Sequence, residues 1–284
     1  MEYKKLTFDL YRFQLLPISR NIHDDLYIEN LSIEKLKEEK NNIFGEIIDK
    51  LITINHRTFD IIQKKIPVGG PWIAFKLGAK KNVEIGTTDL KKSTIDSWPH
   101  ITVIINNDPA VQSIAISRNI KAFSSTRAVT KLLQKNLEHG LRTRQLTLHI
   151  EPRFDKRDFW EIVKKHVDEV SSVKFELISP NMSNISKSLT IDLKSINEET
   201  NSHRTNVELN ADQGAALELN ESNGIVAGLV EYASQGGGNI SVKINGIRQK
   251  IQTNTEIKTL EIDEFTVDNL TQDGLYLLLE RFNQ

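Results

Sequence analysis

The amino-acid sequence predicts an α+β fold, with mixed, largely antiparallel sheets, packed helices and room for two subdomains. Two turns of a kind that closes antiparallel hairpins lie in opposite halves of the chain, Asn106-Asn107-Asp108-Pro109 and Asn245-Gly246. Stretches of apolar alternation are mixed with stretches of helical periodicity, without the regular βαβ order of a doubly wound sheet. The 284 residues are 38% hydrophobic and 26% charged, an ordinary globular composition in a chain long enough to bury a core. The boundary between an N-terminal α+β part (1–122) and a C-terminal one (123–284) is expected just before the helix that starts near residue 126.

The first half reads as follows. Leu6–Leu16 alternates and predicts an opening strand. Ser32 caps a helix reaching about Ile52, whose buried side carries Leu36, Ile43, Phe44, Ile47, Ile48 and Leu51 and is interrupted by Lys40. Gly69-Gly70-Pro71 turns into a strand at Trp72–Leu77. His100–Ile105 and Val111–Ser117 are the two strands of the first hairpin.

The second half alternates. A helix over about 126–139 turns Ala128, Val129, Leu132, Leu133 and Leu137 inward and is expected to stop at Gly140. A strand follows at Gln145–Ile150. Asp155 caps a helix running to Val170, with Asp158 in its first turn and Phe159, Val163, Val167 and Val170 on its apolar side. Val173–Ile178 and Thr205–Asn210 read as strands, and Ser183–Glu199 as a helix or, at Thr190–Lys194, an extended segment. Asn223–Ser234 is a short helix ended by Gly236-Gly237-Gly238. Ile240–Ile244 and Ile247–Thr253 should form a tight hairpin around Asn245-Gly246, followed by a strand near Ile257–Ile262 and a helix at Leu275–Phe282.

Composition narrows the chemistry. The absence of cysteine excludes disulfides, thiolate zinc sites and thiol nucleophiles. Met1-Glu2-Tyr3-Lys4-Lys5 leads into a strand carrying Asp9 and Arg12, unlike a signal peptide, and no apolar run reaches the roughly eighteen residues of a membrane span. A cytoplasmic protein without membrane insertion is expected. The seven histidines show no metal-ligand spacing, so neither a metal nor a cofactor is expected. Neither glycine cluster matches a phosphate-binding fingerprint, and Trp72, Trp98 and Trp160 read as core or interface anchors.

Charge is the informative feature. The net charge is −1, yet residues 191–284 carry 15 acids and 7 bases, so the preceding residues are net positive. Val111–Ile150 holds seven bases (Arg118, Lys121, Arg127, Lys131, Lys135, Arg142, Arg144) against the single acid Glu138. Arg127, Lys131 and Lys135 recur every fourth residue and should form one stripe on a helix. Ser124, Ser125 and Thr126 stand at that helix's entrance, where hydroxyls and free N–H groups suit a phosphate. Apart from Phe123 no aromatic residue is interleaved, which favours tracking of a duplex backbone over stacking on single strands. The plain alternative is a solvated helix face with ordinary caps.

Weaker patterns point to catalysis. His100-Ile101-Thr102 matches one half of the paired His-x-Thr of two-histidine phosphoesterases, but the candidate partner, His149-Ile150-Glu151, lacks the hydroxyl. Asp192-Leu193-Lys194 and Asp89-Leu90-Lys91 match the acid-x-Lys half of a Mg²⁺-dependent nuclease site; Asp192 would hold the metal, Lys194 would orient water, and Asp168 or Glu176 would supply a second acid. The balance favours a protein that is not an enzyme.

Asp158-Phe159-Trp160, Val173-Lys174-Phe175, Ser179-Pro180-Asn181, Glu199-Thr200-Asn201 and Tyr232-Ala233 leading to Gly236-Gly237-Gly238 resemble a little-characterised bacterial family of similar length, associated with anti-phage defence loci. Size and layout are also similar to the phage lambda exclusion sensor protein and related defence subunits, which bind DNA without a recognised nuclease motif. The resemblance runs from Phe159 to Gly238 and carries no catalytic residue. It implies a cytoplasmic bacterial protein working in an assembly, as a homodimer or with a partner from the same operon. The leading expectation is a DNA-binding component of a defence or regulatory system. A Mg²⁺-dependent nuclease and a protein-interaction subunit docking through the acidic C-terminal portion stand as alternatives.

Overall fold

The computed structural model describes residues 5–18, 32–50, 54–179, 193–263 and 267. The fold is α+β with antiparallel sheets. By Cα packing the chain forms two compact units, and both are discontinuous. The first draws on Met1–Asp9, Lys40–Arg144 and Thr259–Gln284, the second on Leu10–Glu39 and Gln145–Lys258. Strand β1 (Lys5–Pro17) and helix α1 (Ile33–Lys50) each supply residues to both.

Next along the chain come β2 (Ile61–Ile66), β3 (Trp72–Ala79), β4 (Lys81–Gly86), β5 (Lys92–Ser97), β6 (His100–Asn106), β7 (Ser113–Ser117) and α2 (Thr126–Arg142). In the first unit β2, β3, β6 and β7 follow one another as antiparallel neighbours, and β7 lies beside β1. On its other side β1 pairs antiparallel with β13 (Thr259–Asp263), from Lys5 opposite Asp263 to Asp9 opposite Thr259. The β6–β7 turn folds as its residues dictate: the N–H of Asp108 donates to Oδ1 of Asn106, and that of Ala110 to Oδ1 of Asp108. Helix α1 docks on that turn through Asn41, whose Nδ2 donates to Asn107 O and Oδ1 at 2.9 and 3.0 Å, while Nδ2 of Asn107 donates back to Asn41 O at 2.7 Å.

The second unit adds β8 (Leu146–Pro152), α3 (Lys156–Lys165), β9 (Val170–Ile178), α4 (Leu193–Thr200), β10 (Arg204–Asn210), α5 (Gly224–Tyr232), β11 (Gly238–Ile244) and β12 (Ile251–Gln252). Strands β10, β9, β11 and β12 form an antiparallel sheet in that order, and β8 pairs with Tyr11–Pro17 of β1. Its core gathers Phe159, Trp160, Phe175, Leu229 and Ile240, with Phe159 and Trp160 edge to face at 4.8 Å. Tyr232 is fully buried, and its hydroxyl donates to the carbonyl of Ile178 at 2.7 Å.

Several elements depart from sequence expectation for identifiable reasons. Helix α2 does not stop at Gly140 but runs through it to Arg142, because that glycine packs against α1: a Cβ there would lie 3.0 Å from Cγ2 of Ile47. Helix α3 ends at Lys165, since Asp168 adopts φ +62° and turns the chain back into β9, which leaves Val167 exposed and makes Val170 a strand residue. Asn245-Gly246 does not close a two-residue hairpin. Val242 pairs with Ile251, two residues later than a tight turn would require, and the N–H of Asn245 donates to Glu169 O at 2.8 Å instead. Strands β2, β4 and β5 escape the pattern because their surfaces are largely open to water, so their apolar residues do not mark a buried face. The helix expected at Leu275–Phe282 lies outside the described residues.

Candidate nucleic-acid interface

Helix α2 is built locally and oriented by packing. Ser125 is its N-cap in extended conformation (φ −163°, ψ 160°), with Oγ accepting from Ala128 N at 3.2 Å. Val129, Leu132, Leu133, Leu137 and Leu141 are buried along one side. The opposite side exposes Lys131, Lys135, Glu138, His139 and Arg142. At about 100° per residue, positions 127, 131, 135 and 142 fall within about 80° of one another around the axis. Lys131 and Lys135 form no ion pair with a described residue. Arg142 stands 3.6 Å from Glu138, both exposed, a pair weak enough to yield to a stronger anion. Arg127 is half-buried and Arg144 is exposed just beyond the helix.

The helix entrance is not the open phosphate cradle expected from its sequence. Thr126 is buried, and its Oγ1 donates to Oδ2 of Asp9 at 2.5 Å. Oδ1 of Asp9 accepts from Nε and Nη2 of Arg118 at 2.7 and 2.6 Å. An anion arriving at this entrance would meet a carboxylate, and the Ser125 hydroxyl is engaged in the cap. Ser124 is exposed. Arg118 and Lys121 do not extend the α2 row: they line a separate cavity of about 420 Å³ over the sheet, together with Lys5, Lys76, His100 and Thr102. Of these Lys5 and Lys76 carried no signal in the sequence, because they sit on strands far apart in the chain.

The catalytic alternatives gain little from the geometry. Asp192 lies outside the described residues, and Lys194 is in the first turn of helix α4 rather than on a strand. Asp89-Leu90-Lys91 occupies the β4–β5 turn, with Leu90 at φ +58° and wholly exposed. Glu176 is engaged with Lys174 at 2.6 Å. Among the described residues no group of three metal-ligating side chains is found.

The second unit holds a polar cluster that includes His149, weighed from the sequence only as a phosphoesterase histidine. Arg12, in the buried stretch of β1, reaches Gln235 O through Nη1 at 3.5 Å, and burial lowers it to about 10. On β8, His149 is pushed down to about 4, first by burial and then by Arg204 and His203. Its ring meets that of His203 edge to face at 6.0 Å, and its Nε2 has no hydrogen-bond partner among the described residues. A neutral imidazole follows. Beside the His149 half-motif, the legible signal was the interruption of an apolar strand by Arg12, which marks a polar interior without saying what satisfies it.

Among the described residues no helix is long and apolar enough to cross a membrane. No family model, curated protein or solved structure matches the chain.

Proposed function

We propose that the protein is a non-enzymatic binder of nucleic acid that grips the backbone of duplex DNA through the solvent face of α2. Lys131, Lys135 and Arg142 are the principal contacts, flanked by Arg127 and Arg144. The observation that carries this reading is the shared arc: three exposed cations on one side of a single rigid helix, accompanied by one carboxylate, Glu138. Four residues of helix advance about 6 Å, so the row from 127 to 142 extends over roughly 22 Å of a duplex that carries a charge every ~1.7 Å of axis. Contacts of this kind carry no base information, so binding is indifferent to sequence. The residues resembling a family of anti-phage defence loci extend the proposal to a bacterial defence or regulatory system, acting as a homodimer or with an operon partner.

Fluorescence anisotropy with a labelled duplex at several salt concentrations tests it. Three phosphate contacts give a slope of log K against log salt of about −3. Lys131→Glu with Lys135→Glu should reduce that slope by about 2 and weaken binding at least roughly thirtyfold near physiological salt, equally for unrelated sequences. Unchanged binding by the folded double variant removes the proposal.

A further inference from the structure

The cavity that takes in Arg118 and Lys121 has the chemistry of an anion site, and it is built by register. Lys76 on β3 lies directly opposite Thr102 on β6. One step beyond the last β6–β7 pair, Thr102 meets Ser117, and here the strand N–H donates to the Ser117 hydroxyl at 2.7 Å instead of to a carbonyl. Lys76, Thr102 and Ser117 thus make a polar row across three adjacent strands, and His100, two residues before Thr102, falls on the same face. Thr7 of β1 continues the row, its carbonyl accepting from Arg118 N at 2.8 Å. Both floor hydroxyls are enclosed, Thr102 at 2% and Ser117 at 4% exposure, in strands whose other residues are mostly Ile, Val and Ala. Ser117 already serves the Thr102 N–H, whereas at Thr102 an apolar residue would suit a merely structural floor better.

The rim is held in place before any ligand arrives. Nδ2 of Asn119 donates to His100 O at 2.9 Å, and Oδ1 of Asn119 accepts from Lys121 N at 3.1 Å, which pins the segment after β7 to β6. Asp9 fixes the guanidinium of Arg118. Lys5, Lys76, Arg118 and Lys121 converge here, and among the described residues no carboxylate lines the cavity. Glu261 is 3.6 Å from Lys5 in an exposed pair, and Lys121 makes no ion pair with a described residue. Arg118 and Lys5 already have carboxylate partners, so the added positive charge of Lys121 beside them is what favours an incoming anion. The volume exceeds that of a phosphate alone and falls in the range of small-ligand sites. Among the described residues His100 is the only ring in the lining, so recognition rests on charge and hydroxyl donors.

We propose that this cavity binds a phosphate monoester, with Lys76, Arg118 and Lys121 neutralising the dianion and Thr102 and Ser117 addressing its oxygens. The phosphate comes either from a mononucleotide or from the phosphorylated end of a nucleic-acid strand. The site is independent of the α2 row, and neither proposal requires the other. Isothermal titration calorimetry of the full chain with inorganic phosphate, AMP, and a short oligonucleotide bearing a 5′-phosphate or a 5′-hydroxyl tests it. Saturable binding of phosphate and AMP is expected, and Lys76→Gln with Lys121→Gln should weaken it at least roughly tenfold. Lys121→Gln alone, an exposed change outside any strand, should weaken it several-fold. Lys131→Glu with Lys135→Glu should leave it unchanged, which separates this site from the duplex surface. Tighter binding of the 5′-phosphorylated strand than of AMP, lost with the 5′-hydroxyl, upholds the site and assigns it to strand ends; equal affinity upholds it for mononucleotides. Absence of saturable binding of both phosphate and AMP into the millimolar range, or undiminished binding by the folded double variant, overturns the proposal.

Discussion

Removing the carboxylate of Asp9 should loosen the start of α2 by an amount that the geometry sets. The side chain is 6% exposed, and its two oxygens serve different partners, Arg118 at 2.7 and 2.6 Å and Thr126 at 2.5 Å. The Arg118 side chain is 52% exposed, so water replaces much of that interaction, and its share is at most about 1 kcal/mol. The Thr126 bond is buried at both ends and charge-assisted, worth about 1.5–3 kcal/mol. Asp9→Ala should therefore destabilise by about 2–3 kcal/mol and Thr126→Val, which strands Oδ2, by about 2 kcal/mol. The double variant should cost little more than the larger single change, a coupling of about 1.5–2 kcal/mol. Asp9→Asn can still accept from Arg118 through Oδ1 and donate to Thr126 Oγ1 through Nδ2, so it should cost only about 1 kcal/mol. Urea unfolding followed by far-ultraviolet circular dichroism reads these differences, provided the slope with denaturant stays constant. Strictly additive single effects, or an Asp9→Ala cost below about 0.5 kcal/mol, would refute the assignment of Asp9 as the anchor of this helix.

Two further outcomes follow from the second unit. The unfolded chain protonates His149 near its ordinary value of about 6.5, whereas the folded chain does so only near 4, so its contribution is complete above about pH 6.5 and is lost as pH falls toward 4, by up to about 3 kcal/mol. Urea midpoints at neutral and mildly acidic pH should show this loss, and His149→Gln should remove it; the same pH dependence in the variant would assign the effect to other groups. Gly238→Ala should abolish soluble folded protein, because the new Cβ would lie 2.1 Å from Glu176 O and 3.0 Å from Leu177 Cα, backbone that the β9–β11 pairing holds in place. Gly224→Ala, with nothing within 4 Å, should fold with unchanged yield, and equal yields of the two variants would contradict the close approach.

Much of the fold was legible because local chemistry and tertiary packing agree. Ser125, Asp155 and Asn223 cap helices as their residue types predict, each accepting from a main-chain N–H of the first turn. The buried face of α2 follows its apolar periodicity. Where expectation failed, a distant partner had intervened: Ile47 packs where a Cβ on Gly140 would stand, so that glycine serves a helix contact and not a stop, and Glu169 accepts from the Asn245 N–H. Of the candidate interface, Lys131 and Lys135 could be read from their four-residue spacing, whereas Arg142 joins their row only because α2 continues through Gly140. The diversion of Arg118, Lys121 and Thr126 could not be read, since their partners and companions come from β1, β3 and β6.

The one-dimensional chain determined most of the segments that form helices and buried strands, which sides of the helices are apolar, and that cations crowd residues 118–144, because these depend on neighbours a few positions away. Only the tertiary structure decided which of those cations remain available and which converge. Asp9 and Thr126 are 117 residues apart in the chain, and the row of Lys76, Thr102 and Ser117 exists only through strand register. A register shift of one residue would turn those same side chains to the opposite face, so pairing, which local propensity does not encode, creates the cavity.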